Sequence, residues 1–200
     1  MKKITLTLFI LALLTSCGTR NDNNCLTTHD YGVLINGIRW ATRNVDAPGT
    51  FAETPECFGM FFQWNRRKGW NAADEEVENW NRRIARSNRW ARRNDPCPRG
   101  WRVPTENELD YLVEAGSEWT VQNGVYGRLF GVAPNQFFLP AAGMRSGNYG
   151  TLRSVGVSGL YWSSTRVLKR FSVGLWFRSE NESVGWDGCR NGFSVRCVAK

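Results

Sequence analysis

Past residue 136 the chain is written in short β-prone runs: Phe137 to Leu139, Leu160 to Ser164, Phe171 to Phe177 and Phe193 to Val198, each set off by Gly, Asn and Ser. Runs of this length and composition read as strands, and the small polar residues between them as turns. Within the third run Phe171, Val173, Leu175 and Phe177 alternate onto one face, the period of a strand packed on a core. Parallel strands need long helical crossovers, which these runs lack, so the expected sheet is antiparallel and a βαβ repeat is excluded.

The first half adds three local signals. Gly32 to Ala41 is two β-prone runs around Asn36-Gly37, a dipeptide that accepts the positive φ angles of a tight hairpin. Phe58 to Trp64 is dense in aromatic residues and reads as a buried strand. In Pro104-Thr105-Glu106-Asn107-Glu108 a threonine stands three residues before a glutamate, the spacing at which each side chain satisfies an orphan amide of a first helical turn. Leu109, Leu112 and Val113 then share a face and Gly116 ends the run, which predicts a helix over Glu106 to Ala115. The expected class is α+β: one domain with an antiparallel sheet, one well-capped helix and long irregular loops.

From Asn65 to Asn94 the composition changes. Trp70, Trp80 and Trp90 alternate with Arg66, Arg67, Arg82, Arg83, Arg86, Arg89, Arg92 and Arg93. Val77, Trp80 and Ile84 stand at helical spacing and predict an amphipathic helix over part of the segment, Asp74 to Arg86. Interleaved rings and cations are also how proteins hold single-stranded nucleic acid. The reading preferred is a surface insertion whose Trp residues cover the core and whose Arg residues face water, with no nucleic acid as partner.

The N-terminus bears on location. Lys2 and Lys3 precede the apolar run Ile4 to Leu14, which closes on Leu14-Thr15-Ser16-Cys17. A charged start, a short apolar core and small residues before a cut are the parts of a secretory signal, and the run is too short to span a bilayer. It looks like a bacterial lipoprotein signal, with 1–16 removed and Cys17 acylated. Each buried methylene of an acyl chain contributes about 0.8 kcal/mol, so several chains on Cys17 would hold the protein on a membrane. Residues 17–30, polar from Gly18 to Asn24, are expected to be a flexible tether and 31–200 the folded domain. The expected address is the outer membrane or cell surface. Of 200 residues 26 are Lys or Arg and 18 are Asp or Glu, a net charge of +8 from which Lys2 and Lys3 leave with the signal. That balance favours anionic partners weakly.

Cys25, Cys57, Cys97, Cys189 and Cys197 remain after Cys17. In an oxidising compartment disulfides are the default, and an odd number leaves a thiol over. Cys189 with Cys197 and Cys57 with Cys97 are the preferred pairs, although spacing alone leaves the connectivity open. No Cys-x-x-Cys occurs and His29 is the only histidine, so a zinc site lacks its usual ligands and no metal or cofactor is expected.

Four strings carry a family resemblance: Asp95-Pro96-Cys97-Pro98-Arg99-Gly100-Trp101-Arg102-Val103-Pro104-Thr105, Phe138-Leu139-Pro140-Ala141-Ala142-Gly143-Met144-Arg145, Gly159-Leu160-Tyr161-Trp162-Ser163-Ser164-Thr165, and Ser194-Val195-Arg196-Cys197-Val198. With Val33 to Asn44 and Phe58 to Trp64 they closely resemble the Fibrobacter succinogenes major paralogous domain over nearly all of 31–200. That family is found largely on exported lipoproteins, and its fold is similar to the C-type lectin-like and formylglycine-generating enzyme group. The resemblance implies a domain whose ends meet in a sheet, with a long irregular region carrying the function. Trp186-Asp187-Gly188-Cys189 followed by Cys197 is similar to the end of C-type lectin domains, which supports the Cys189 to Cys197 bridge. Calcium-dependent sugar binding is not implied: the nearest counterparts of the ligand motifs are Ala133-Pro134-Asn135 and Trp186-Asp187, and a hard cation wants six or more oxygens, one of which Ala133 removes.

Catalysis finds little to work with. Cys189 and Cys197 are the pair an oxidoreductase related to formylglycine-generating enzymes would use, and a structural staple is the simpler reading. His29 lies in the tether, which disfavours general-base chemistry. Glu106, Glu108 and Asp110 are carboxylates of the type glycosidases use, but capping and the helix dipole account for the first two. The expected function is a non-catalytic binding or adhesion module for glycans. Trp70, Trp80, Trp90 and Trp186 form the candidate platform, with Arg145 and Asn148 as polar neighbours on the loop Gly143 to Gly150. The alternative is a structural or fimbria-associated assembly protein with a protein partner.

Overall fold

The computed structural model describes residues 29–200; the signal, Cys17, Cys25 and most of the proposed tether lie outside the described residues. In chain order the strands are β1 (Val33–Ile35), β2 (Ile38–Asn44), β3 (Phe61–Gln63), β4 (Gly69–Trp70) and β5 (Trp101–Arg102), the last preceded by a 3-10 turn, Arg92–Asn94. Helix α1 (Glu106–Glu114) leads to β6 (Ser117–Gln122), β7 (Val125–Val132), β8 (Asn135–Pro140), β9 (Met144–Arg145) and β10 (Leu152–Arg153). The chain then forms β11 (Gly159–Leu168), β12 (Phe171–Phe177), β13 (Glu182–Gly188), β14 (Gly192–Phe193) and β15 (Arg196–Ala199). They form antiparallel sheets of order β1-β2-β15-β5, β10-β9-β14-β3-β4, β11-β12-β13 and β6-β7-β8. The molecule is mostly antiparallel sheet with a single short helix among the described residues.

Local chemistry accounts for the sharpest turns. Asn36 and Gly37 take φ of 47° and 79°, which closes β1 on β2 with Ile35 opposite Ile38. Asn123 and Gly124 do the same at φ 49° and 81° between β6 and β7, a hairpin that the sequence reading passed over. Helix α1 starts as expected: Thr105 caps Glu108 N–H while Glu108 Oε2 accepts from Thr105 N at 2.7 Å. The same carboxylate takes both arms of the Arg102 guanidinium, at 2.8 and 2.5 Å.

The predicted helix over Asp74 to Arg86 does not form; the stretch is irregular. Side chains compete for its backbone. Asn71 Oδ1 accepts from Ala73 and Asp74 N–H, Asn81 Oδ1 accepts from Arg83 N–H, and Asn79 sits at φ 59°, outside any helix. Trp80 and Ile84 still reach inward, which explains the misleading period.

Two hydrophobic clusters make the core. One gathers Phe62, Trp64, Trp90, Trp101, Trp162 and Phe193; the other gathers Trp40, Leu109, Leu112, Phe130, Tyr161, Leu175 and Phe177 beneath α1. Buried guanidinium groups cross-link the loops around them. Arg196 donates to Asn44 Oδ1 through Nε and Nη2, to Ala41 O at 3.1 Å and to Phe138 O at 3.1 Å. Arg128 binds Arg178 O, Ser179 O and the Glu182 carboxylate. Asp30, assigned to the end of the tether, is buried: it accepts from Gly32 N, Thr42 N and Thr42 Oγ1 and lies 3.5 Å from Arg43 Nε.

The cysteine pairing corrects the expectation. Cys97 is bonded to Cys197, with Cα atoms 6.1 Å apart and a sequence separation of 100. Neither Cys189–Cys197 nor Cys57–Cys97 forms. Between Cys189 and Cys197 the chain runs through β14 in one sheet before reaching β15 in another, so nearness in sequence is not nearness in space. Cys189 is a buried free thiol 3.1 Å from Ser172 Oγ, and burial pushes its pKa up. Cys57 is also disulfide-bonded, to a partner other than Cys97.

Two predictions follow from these contacts. A bridge closing a loop this long restricts the unfolded chain, and C97A/C197A should lose about 3–5 kcal/mol of unfolding free energy in urea titrations. Burial raises the Glu108 pKa, but Arg102 and Thr105 outweigh it and hold the carboxyl below its ordinary range. A depressed folded pKa contributes stability that is complete above the unfolded value, about 4.3, and fades as pH falls through the folded one. The stability gap between the wild type and E108Q should therefore be full at neutral pH and shrink progressively below about pH 4.

Candidate functional site

The four Trp residues proposed as a platform divide. Trp90 is 8% exposed, edge-on to Trp64 at 5.7 Å, and its indole N–H donates to Asn94 O at 2.9 Å. Trp80 is also 8% exposed and lies against Gly150 and Gly192, where any added Cβ would stand within 2.8 Å of its ring. Gly150 is at φ 73°, so both space and backbone call for glycine there. These two rings are packing, and neither is free to stack on a ligand.

Trp70 and Trp186 remain. Trp70 ends β4, the edge of its sheet, opposite Phe61; it is half-buried, leans on Trp80 at 5.2 Å and carries the Lys68 ammonium 3.8 Å from its ring centroid. Beside it a cavity of about 390 Å³ is lined by Met60, Asn71, Asp74, Glu76, Val77 and Glu78. Trp186 lies on β13, the edge of the β11-β12-β13 sheet, and is 63% exposed. Phe171 meets its ring edge-on at 5.0 Å, which fixes the indole while leaving it open to solvent. On the opposite face of that sheet Trp176, 38% exposed, lies over Gly185. The sequence held a signal for Trp176: it falls off the Phe171, Val173, Leu175, Phe177 face.

Arg145 is corrected outright. Expected as a ligand contact, it is 0% exposed, and its guanidinium donates to Asn71 O, Asp74 O and Gly150 O at 2.6 to 3.1 Å. It ties the start of the irregular segment to the loop after β9. Burial lowers its pKa, with Asp74 opposing. Asn148 is exposed, but its carbonyl accepts Arg82 Nε at 3.0 Å. Next to it the exposed Tyr149 lies under the Arg82 guanidinium at 5.2 Å, a pair the sequence reading did not single out.

The chemistry weighed for catalysis is dispersed. Cys197 is in the bridge to Cys97 and Cys189 is enclosed, so the two do not meet as a reactive pair. Glu108 is committed to the helix cap and Arg102. Asp187 Oδ1 accepts from Gly188 N and Asn191 Nδ2, and burial raises its pKa. Among the described residues no group of three His, Cys, Asp or Glu side chains is placed to hold a metal ion, and no helix is long and apolar enough to cross a membrane.

If Arg145 serves the fold, R145M should lower unfolding stability by about 2–4 kcal/mol and speed proteolysis near Asn71 to Glu75. R145K should recover only part, because one ammonium cannot span carbonyls on two loops. A ligand-contacting arginine would show the reverse, with lost binding at unchanged stability. No protein-family model, no curated protein and no solved structure matches the chain.

Proposed function

We propose that the chain is an exported lipoprotein of the Fibrobacter succinogenes major paralogous domain type, whose folded part is a non-catalytic, lectin-like module presenting aromatic rings to glycans. The lipid on Cys17 would hold it at the outer membrane or cell surface. Support for the lectin-like architecture comes from β15 lying between β2 and β5, so that early and late segments share a sheet, and from the long irregular stretch between β4 and β5.

The observation that carries the binding reading is Trp186. A tryptophan 63% exposed on an edge strand, steadied by Phe171, leaves a large apolar face in water, and such a face stacks well on a pyranose ring. Trp70 beside its acidic cavity offers a second ring, with Asp74, Glu76 and Glu78 as acceptors for sugar hydroxyls.

An assembly role has one observation in its favour: β13 has no partner on its outer side among the described residues, and open edges accept strands from other chains. A glycan array probed with and without a calcium chelator separates the two. The lectin-like reading expects reproducible binding to a related set of sugars, insensitive to chelator, and reduced about tenfold or more in W186A without a change in unfolding midpoint. A blank array, with a fixed protein cross-linked to the chain on intact cells, would replace it by the assembly role.

A further inference from the structure

The irregular segment between β4 and β5 carries a charge arrangement that its packing does not use. From Asn81 to Asn94 the sequence contains no acidic residue. Asn65 organises it: its Oδ1 accepts from Ala91 N at 2.8 Å and Asn94 Nδ2 at 3.1 Å, and its own carbonyl accepts from Asn94 Nδ2 at 2.9 Å. This pins the 3-10 turn against the chain leaving β3. Arg66 Nη2 donates to Arg83 O at 3.2 Å, and Arg67 Nη1 donates to Asp95 O at 2.9 Å, whose N–H in turn donates to Arg92 O. These bonds hold the backbone at Arg83 and at Arg92 to Asp95 against the Arg66 and Arg67 side chains, so Arg66, Arg67, Arg83, Arg92 and Arg93 issue from three neighbouring stretches of chain.

Their charges are not neutralised. None of the five is in an ion pair with a carboxylate among the described residues, and the bonds that Arg66 and Arg67 make go to neutral carbonyls. Asp95 gives no relief, since its carboxylate accepts from Cys97 N and Val103 N. Cations issuing from neighbouring stretches of one surface, with no carboxylate to pair them, raise the local positive potential and draw anions.

We infer that this arginine face binds an acidic polysaccharide, its guanidinium groups gripping uronate carboxylates or sulfate esters. The inference rests on the glycan-binding reading above and names the ligand class. Guanidinium forks match carboxylate and sulfate oxygens two at a time, and a polymer meets several of them along its length. An anionic membrane is less suited: no large apolar side chain is exposed between Asn65 and Asn94 to enter the acyl boundary. Single-stranded nucleic acid needs a run of stacking rings, and of the three Trp residues in the segment Trp80 and Trp90 are buried while Trp70 stands beside acidic side chains.

The test titrates the full-length chain with an oligogalacturonate, a heparin-derived oligosaccharide, a neutral xylo-oligosaccharide of equal length, phosphatidylglycerol vesicles and a single-stranded DNA. R83Q/R92Q/R93Q is the variant, because these side chains are exposed and make no hydrogen bonds that hold the fold. The expected result is binding to one or both acidic oligosaccharides, weakened about tenfold or more in the variant, with a salt dependence shallower by about 2 in log–log slope and an unchanged unfolding midpoint. Equal affinity of the variant overturns the inference, as does binding confined to vesicles or DNA. Binding of the neutral sugar alone, lost in W186A, overturns it while leaving the Trp186 platform standing. Acidic-sugar binding indifferent to W186A but lost in the arginine variant supports it and removes that platform. No binding to any sugar overturns both.

Discussion

A buried guanidinium group that forms no ion pair among the described residues holds several strands of this fold together. Arg196 is 1% exposed, and burial, partly offset by Tyr161 and Asp30, brings its pKa down only to about 10, so it remains a cation at neutral pH. Its donors end on Asn44 Oδ1, Ala41 O and Phe138 O, joining β2, β8 and β15, while Asn44 Nδ2 continues to Phe58 O and to the Tyr161 hydroxyl. Tyr161 passes the chain of bonds to Pro140 O, and burial pushes its own pKa up to about 12. A buried charge is tolerable only when its donors are used, and here Asn44, Ala41 and Phe138 accept four hydrogen bonds from the one guanidinium.

The same device recurs in Arg145, and in Arg128 with the Glu182 carboxylate added, and the composition explains why. A chain with short strands and long irregular connections buries many carbonyls that no ladder partner reaches. Arginine supplies five donors in one rigid fork and can satisfy carbonyls on two loops at once. Trp80 and Trp90 serve the same end by another route, their rings pinning the segment between β4 and β5 onto the core. With its anchors turned inward, that segment leaves its remaining arginines facing solvent.

What could be read from the sequence was what short-range chemistry determines. Asn36-Gly37 and the Thr105–Glu108 cap needed only neighbouring residues, and both stand as expected. Asn123-Gly124 carries the same short-range signal and closes β6 on β7 in the same way. The helix assigned to Asp74 through Arg86 failed because Val77, Trp80 and Ile84 reach inward from an irregular path whose period happens to be helical. The disulfide could not be read from spacing: which cysteine faces Cys97 depends on β15 entering a sheet with β5. For the candidate site, the type of residue was legible and its orientation was not. Trp186 and Trp90 are both candidates by residue type, yet one is open and the other enclosed, and nothing in composition shows that Arg145 is buried among carbonyls.

The position of β15 sets the order of events by which this molecule comes into being. Its neighbours are β2, near the start of the described residues, and β5; Arg196 meets Asn44 across 152 positions. Until Arg196 to Ala199 arrive, the first sheet has a gap in its middle, the buried polar network lacks its cation and Cys97 lacks its partner. Local turns can form earlier, but the two halves of that sheet have nothing to join them, and closing so long a loop is slow. A chain emerging from a ribosome, or threading through a pore from its N-terminus, cannot close this sheet until β15 has passed.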